Sequence, residues 1–339
     1  MKRLVFLTLN LLTLPLHAQQ IKITNVLSNI PSSIRGLSVI DDHVAWFSGS
    51  NGYAGRTIDG GRTWRFNQIK SFEKVDFRSL YAFDSLHAIV ANAGSPASIL
   101  KTNDGGRTWR EVYHNNHPDI FFDGIDFWNE QTGLIYGDPI DGRMMLLKTT
   151  DGGETWKEIP GNQRPQLEKG EASFAASGTG IRCVKKSKVI IATGGLISRL
   201  WVSENIGMDW TPMKCPIVHG KSSTGIFSIG TNNETWVVVG GDYSADSLST
   251  LNAFYSFDEG KRWIAPKKST RGYRSCVEFI SGRNWLAVGQ TGIDISWNNG
   301  KTWLPFSDEK GFHVLRKARQ GKIILAAGNN KIVMINIDP

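Results

Sequence analysis

Cysteine is scarce in this chain: Cys183, Cys215 and Cys276 are the only three, odd in number and far apart. No C-x-x-C pair occurs, so the usual signatures of a structural zinc site and of thioredoxin-type redox chemistry are missing. Three thiols cannot staple 339 residues, and the core has to hold itself together. Free buried thiols are the expectation, with one disulfide as the alternative. Also missing are a C-x-x-C-H haem attachment and a G-x-G-x-x-G turn after a strand. Gly178-Thr179-Gly180 lacks both the third glycine and a following helix. The seven histidines are scattered, and the only close pair, His114 and His117, falls in an outer connection. Asp138, Asp141, Asp242 and Asp246 are oxygen ligands of the kind calcium takes, but not at a recognised loop spacing. No cofactor and no metal are expected.

Long apolar runs and runs of like charge are absent too. The one apolar stretch, Leu4 to Leu16, follows Lys2 and Arg3 and ends at Leu16-His17-Ala18. That pattern reads as a secretory signal peptide cut near Ala18, too short for a membrane-stopping helix. The expectation is therefore a secreted or periplasmic protein in which residues 19–339 form a single domain with no membrane span. Net charge is +8, but Lys and Arg nowhere cluster as in nucleic-acid-binding tails, so nucleic acid is not an expected partner. A monomer is expected.

One pattern is abundant. A Ser or Thr is followed two residues on by Asp or Asn, then by Gly after two more and Trp after a further three. It occurs at Thr57 to Trp64, Thr102 to Trp109 and Thr149 to Trp156, and in looser form at Ser203 to Trp210, Ser256 to Trp263 and Ser296 to Trp303. Half of the 12 tryptophans occupy this register. The central residues, Asp59, Asp104, Asp151, Asn205, Asp258 and Asn298, recur every 40 to 54 residues. A short polar side chain there accepts backbone N–H groups of its own turn, the glycine supplies positive φ, and the tryptophan packs between sheets. Each box is accordingly read as a hairpin turn with a structural, not catalytic, carboxylate or amide.

Around each box lie four strand-like runs, as in Ile34–Ile40, His43–Ser48, Tyr53–Thr57 and Trp64–Asn67. Four strands per repeat is the arithmetic of a β-propeller blade. The tail, Leu325 to Gly328 and then Lys331 to Ile337, reads as a further copy that stops before its box, and Ile21 to Val26 can supply the missing outer strand. The expected fold is all-β: a seven-bladed propeller of four-stranded antiparallel blades, closed by an N-terminal strand that completes the last blade. Six blades with an appended hairpin is the other closure.

These boxes resemble the Asp-box (BNR) repeats of sialidases. The Gly-Gly-x-Thr-Trp form at Gly60–Trp64, Gly105–Trp109 and Gly152–Trp156 is similar to the photosystem II assembly-factor-like propellers and to uncharacterised secreted bacterial relatives loosely called oxidoreductases or glycosyl hydrolases. The resemblance spans the mature chain and implies a propeller that serves as a scaffold or as an enzyme.

Propeller topology sorts the unusual residues onto one face. Loops joining second to third strands, and blade to blade, emerge opposite the boxes. There the sequence places Gly137-Asp138-Pro139-Ile140-Asp141-Gly142-Arg143, Gly170 to Ser177 with Glu171, Gly240 to Asp246 with Asp242 and Tyr243, and Gly272-Tyr273-Arg274-Ser275. Arg35, Arg78, Arg182 and Arg274 each stand near the start of a first strand, so four guanidinium groups are expected around one anion-attracting funnel. Asp123, Asp126, Glu171 and Asp242 are candidates to pair with some of them.

The first expectation is a non-enzymatic binding or assembly-factor-like propeller that holds an acidic protein, peptide or glycan at this funnel. The alternative is a glycoside hydrolase of acidic glycans. Sialidases use an arginine triad, a Tyr–Glu pair and an Asp acid, and the resemblance implies Arg35, Arg182 and Arg274, Tyr243 or Tyr273, Glu171, and Asp138 or Asp242 in those roles. Ile34-Arg35-Gly36 stands where sialidases begin with Arg-Ile-Pro.

Overall fold

A computed structural model describes residues 21–232 and 234–337. The apolar leader and its cut near Ala18 lie outside those residues. Apart from two 3-10 turns, Gly161–Gln163 and Tyr243–Ala245, every regular element among the described residues is a β-strand. Among the described residues no helix is long and apolar enough to cross a membrane.

The ring is a propeller of six blades, which corrects the expected seven. Six hydrogen-bonded sheets occur among the described residues, and the strands assigned to a seventh belong to one of the six. Strand Ile21–Val39 is continuous: its first part pairs with Ile324–Ile337 and its second with Ala45–Gly49. The tail strands Phe312–Lys317 and Ile324–Ile337 thereby join the Asp59 sheet, making it six-stranded. The two ends of the described chain lie side by side in this sheet, with Ile21 opposite Ile337 and Asn25 opposite Val333. A sequence count of four strands per repeat cannot see that one strand passes from one sheet register into the next.

Burial along a blade explains the sequence pattern. In the Asp104 sheet the middle strands Ala88–Ala91 and Ala97–Thr102 are buried throughout, whereas the outer strand Arg110–Asn115 has no buried residue and is half exposed. Middle strands covered on both faces read as apolar runs, and outer strands carry the charge. Neighbouring sheets meet through separate apolar clusters. One unites both chain ends, packing Phe47, Leu286, Phe312, Leu325 and Val333 together.

The box turns share one hydrogen-bond scheme. Thr57 Oγ1 donates to Asp59 Oδ1 at 2.8 Å and accepts from Gly61 N at 2.9 Å, while Asp59 accepts from Thr63 N at 2.9 Å and Thr63 Oγ1 at 2.6 Å. Gly61 holds φ at +87°, a backbone state that a side chain would strain. Thr149 and Asp151 repeat the scheme. Five of the turns are seen to tie to the first hairpin of their own sheet, as in Gly105 N to Leu86 O at 2.9 Å and Gly152 N to Gln131 O at 2.8 Å. Boxes and first hairpins thus share one face, and the second-to-third loops lie on the other. Box tryptophans fill the joints between blades: Trp109 meets Trp46 of the Asp59 sheet edge-on at 6.3 Å, and Trp156 shares an apolar cluster with Ile89 and Ile99 of the Asp104 sheet.

Candidate functional site

On the box-free face, the innermost strands open into a cavity of about 470 Å³. Its shape comes from β-bulges. Pairing slips between Ile34 and Gly36, Phe122 and Gly124, Ile226 and Ser228, and Phe312 and Val314. The residues left over are Arg35, Asp123, Phe227 and His313, and all four line the cavity. A bulge bends its strand and re-aims one side chain, here toward the axis of the ring. Arg78, just ahead of Ser79–Ala82, joins them.

The wall between the charges is aromatic. Phe174 and Phe227 stack at 3.8 Å and 10°. Tyr273 meets Phe227 edge-on at 4.7 Å and Tyr243 does so at 6.1 Å. Tyr243 is 52% exposed and forms the outer lip.

Arg35 is in no ion pair among the described residues; its Nη1 donates to the Ala176 carbonyl at 3.0 Å. Burial, and next the charge of Arg78, lower its pKa from the ordinary guanidinium value. Arg78 donates to Asp76 at 2.7 Å and lies 6.0 Å over the Phe121 ring. Opposite stand two carboxyls. Burial raises the pKa of Asp138, which accepts Ser173 N at 2.9 Å. Asp123 is enclosed, and neither of its oxygens has a hydrogen-bond partner among the described residues. Burial, reinforced by Asp138 and opposed by Arg78, lifts its pKa well above the carboxylate range. Burial and then Arg35 push His313 down to about 3, so its ring is neutral and exchanges hydrogen bonds with Ser33, Asn329 and Gln290.

The four arginines do not converge. Arg35 and Arg78 line this mouth, but Arg182 lies inside its strand and faces the box end of the channel, where it pairs with Glu278 at 2.9 Å. Arg274 is wholly buried within the Asn298 sheet, its Nη2 at 2.6 Å from Asp294. Asp126 also lies at the box end and accepts Cys183 N at 2.8 Å.

The carboxylates read as hydrolytic candidates are equally dispersed. Glu171 is buried and accepts from Thr193 Oγ1 at 2.7 Å, Trp201 Nε1 at 3.1 Å and the Arg199 guanidinium. Burial works against its ionised form, but these donors outweigh it and its pKa falls. Asp242 caps the Tyr243–Ala245 turn through Ser244 N at 2.9 Å and meets Lys221 at 3.3 Å. Asp141 is an exposed hairpin tip, and Arg143 donates to the Arg164 carbonyl at 3.2 Å. Of the sequence candidates, Arg35, Arg78, Asp123, Asp138, Tyr243 and Tyr273 meet at the cavity. Phe121, Phe227, Gln290 and His313 were not legible beforehand, because no residue pattern marks which inner position is bulged. The three cysteines are unpaired.

A family model described as photosynthesis system II assembly factor YCF48 matches residues 17–117 and 82–211, more than half of the chain. Among solved structures, one of YCF48 bound to D1 peptide is 14% identical, with a TM-score of 0.65 over 94% of this chain and 97% of that one. YCF48 from Cyanidioschyzon merolae is 16% identical, with a TM-score of 0.59 over 93% and 98%. A GH74 xyloglucanase from Xanthomonas campestris is 13% identical, with a TM-score of 0.59 over 92% of this chain but 53% of its own. Likeness at these identities speaks for the fold alone. No curated protein matches the chain. With six box-turn blades built around one bulge-lined mouth, and the family model running through the first four boxes, this chain belongs to the photosynthesis system II assembly factor YCF48 family.

Proposed function

We propose that this protein is an extracytoplasmic binding propeller that holds an acidic segment of a partner protein at the box-free mouth. The observation that carries the reading is Arg35: a largely buried guanidinium, without a carboxylate, at the base of an aromatic-walled cavity. A cation kept from water gains most when an anion reaches it, and the flanking rings give the partner's side chains apolar area to cover. A family relative has been solved with a D1 peptide bound, which supports a peptide rather than a glycan as the occupant. Export rests on the leader ending at Ala18, and the mass of the mature protein tests it: loss of residues 1–18 is the expected result, and an intact chain would count against export.

Fluorescence anisotropy with a labelled hexaglutamate peptide at low ionic strength tests the site. Binding should be saturable, weaken with added salt and fall at least about tenfold in Arg35→Glu. Equal affinity in Arg35→Glu would remove the mouth as the acidic-peptide site.

A further inference from the structure

A second cluster of arginines lies on the opposite face, at the joint between the Asp59 and Asp104 blades. Arg56, on strand Tyr53–Thr57, faces Arg65 across strand Arg65–Gln68. Arg107, from the next blade's box turn, completes the group around a cavity of about 370 Å³ walled by Trp46, Trp64 and Phe66. None of the three forms an ion pair among the described residues. Arg56 is 9% exposed, its guanidinium lies 5.4 Å over the Trp46 ring, and its Nη1 has no hydrogen-bond partner among the described residues. The guanidinium rests so closely on Gly105 that a Cβ there would fall 2.2 Å from its Cζ. The carboxylates whose charge reaches Arg56 are Asp104 and Asp84; they partly offset the cations but do not pair with Arg56, since Asp104 accepts from Thr102, Arg107 N and Thr108, and Asp84 from Leu86 N and His87 N. Burial, then Arg107 and Arg65, depress the Arg56 pKa.

The next joint is an internal control. Lys101 takes the place of Arg56 and pairs across its hairpin with Arg110, as Arg56 does with Arg65. In the third place, three residues after the box Asp, stands Glu154 instead of Arg107. Its carboxylate lies between the two cations, 2.7 Å from Lys101 Nζ and in contact with Arg110. That joint holds two positive charges and one negative. One joint further, Lys148 donates to the Ile206 carbonyl at 3.0 Å and Met208 holds the third place, so no third cation gathers. Only a charge of minus two would bring the Arg56 joint to the balance of the Lys101 joint.

We propose that the Arg56–Arg65–Arg107 joint binds a doubly charged tetrahedral oxyanion, a phosphate group or its sulfate equivalent, where the neighbouring joint carries its own carboxylate. The guanidinium forks supply paired N–H donors suited to such oxygens, and the tryptophan and phenylalanine walls shield the contact from water. This site is independent of the mouth on the other face.

Calorimetric titration of the intact protein at pH 8 with sodium phosphate and with sodium sulfate, against sodium chloride at matched ionic strength, tests it. Saturable heat is expected for both dianions and not for chloride. As pH falls through neutrality phosphate should weaken as it takes up its second proton while sulfate should not. Arg107→Glu places the neighbouring joint's acid on an exposed position and should lower phosphate affinity about tenfold or more, as should Arg65→Gln, while Arg35→Glu leaves it unchanged. Phenyl phosphate binding as tightly as phosphate or tighter marks a monoester as the occupant; weaker binding marks the free ion. Heats indistinguishable from chloride, unchanged affinity in Arg107→Glu and Arg65→Gln, or loss in Arg35→Glu instead, would each overturn the proposal.

Discussion

Arg35 and His313 occupy matching bulges on neighbouring innermost strands, and burial together with the Arg35 charge keeps the imidazole neutral. The His313 pKa falls to about 3 in the fold, against about 6.5 unfolded. Between those values the unfolded chain binds the extra proton, so stability drops as pH falls from about 6.5 toward 3, by up to about 1.4 kcal/mol per pH unit. His313→Gln should remove that part of the acid sensitivity. Denaturant midpoints measured between pH 7 and pH 4 check it, and an unaltered slope in the variant would refute the assignment.

Asp123 has the opposite sign. Its folded pKa is raised, so the ionised carboxyl costs stability above the folded pKa, and the cost disappears as pH falls below the unfolded value near 4. Asp123→Asn should therefore stabilise the protein at pH 8 by about 1–3 kcal/mol, with the gain vanishing in acid. A loss of stability at pH 8 would show that the charge is needed.

Arg274 and Arg35 separate structure from binding. Both partners of the Arg274–Asp294 pair are buried, and Asp294 also holds Arg271 at 2.7 Å. Arg274→Ala leaves a buried carboxylate short of a donor and should cost about 3 kcal/mol in urea unfolding. Arg35→Ala removes no ion pair and should cost less than about 1 kcal/mol while weakening acidic-peptide binding. Comparable losses from both would contradict the separation.

The Thr149 hydroxyl bridges Asp151 Oδ1 at 2.8 Å and Gly153 N at 2.9 Å inside its turn. Thr149→Val keeps the shape and orphans a buried amide, with an expected cost of about 1–2 kcal/mol. Amide exchange at Gly153 should accelerate in the variant. Protection equal to that of the parent would mean that the bridge contributes nothing.

Much of this was legible in the sequence, for physical reasons. Box turns are local: Thr57, Asp59 and Gly61 satisfy one another within five residues, so their spacing alone announces the hairpin. Blade count is not local, because the continuity of Ile21–Val39 through two pairings is decided by contacts with Ile324–Ile337 some three hundred residues away. The mouth was half legible. Arg35 stands where Ile21–Val39 begins its pairing with Ala45–Gly49, and Arg78 just ahead of Ser79–Ala82, as their place ahead of the boxes suggested, but Arg182 is the second residue of Ile181–Val184 and points toward the other end. Phe227 and His313 enter only through bulges, and one inserted residue reverses the facing of a side chain. The Arg107 substitution for an acid was in the sequence throughout, but without knowledge of which residues meet at a joint it was one more surface arginine.

The pairing of the two chain ends also sets how the ring answers to pulling. Ile21 and Ile337 lie opposite each other at the same end of one antiparallel ladder. A load applied through the termini opens that ladder like a zip, one hydrogen-bonded pair after another, instead of shearing all pairs together. The closure that holds the circle shut should therefore part first when Ile21 and Ile337 are drawn asunder, before load reaches the remaining joints.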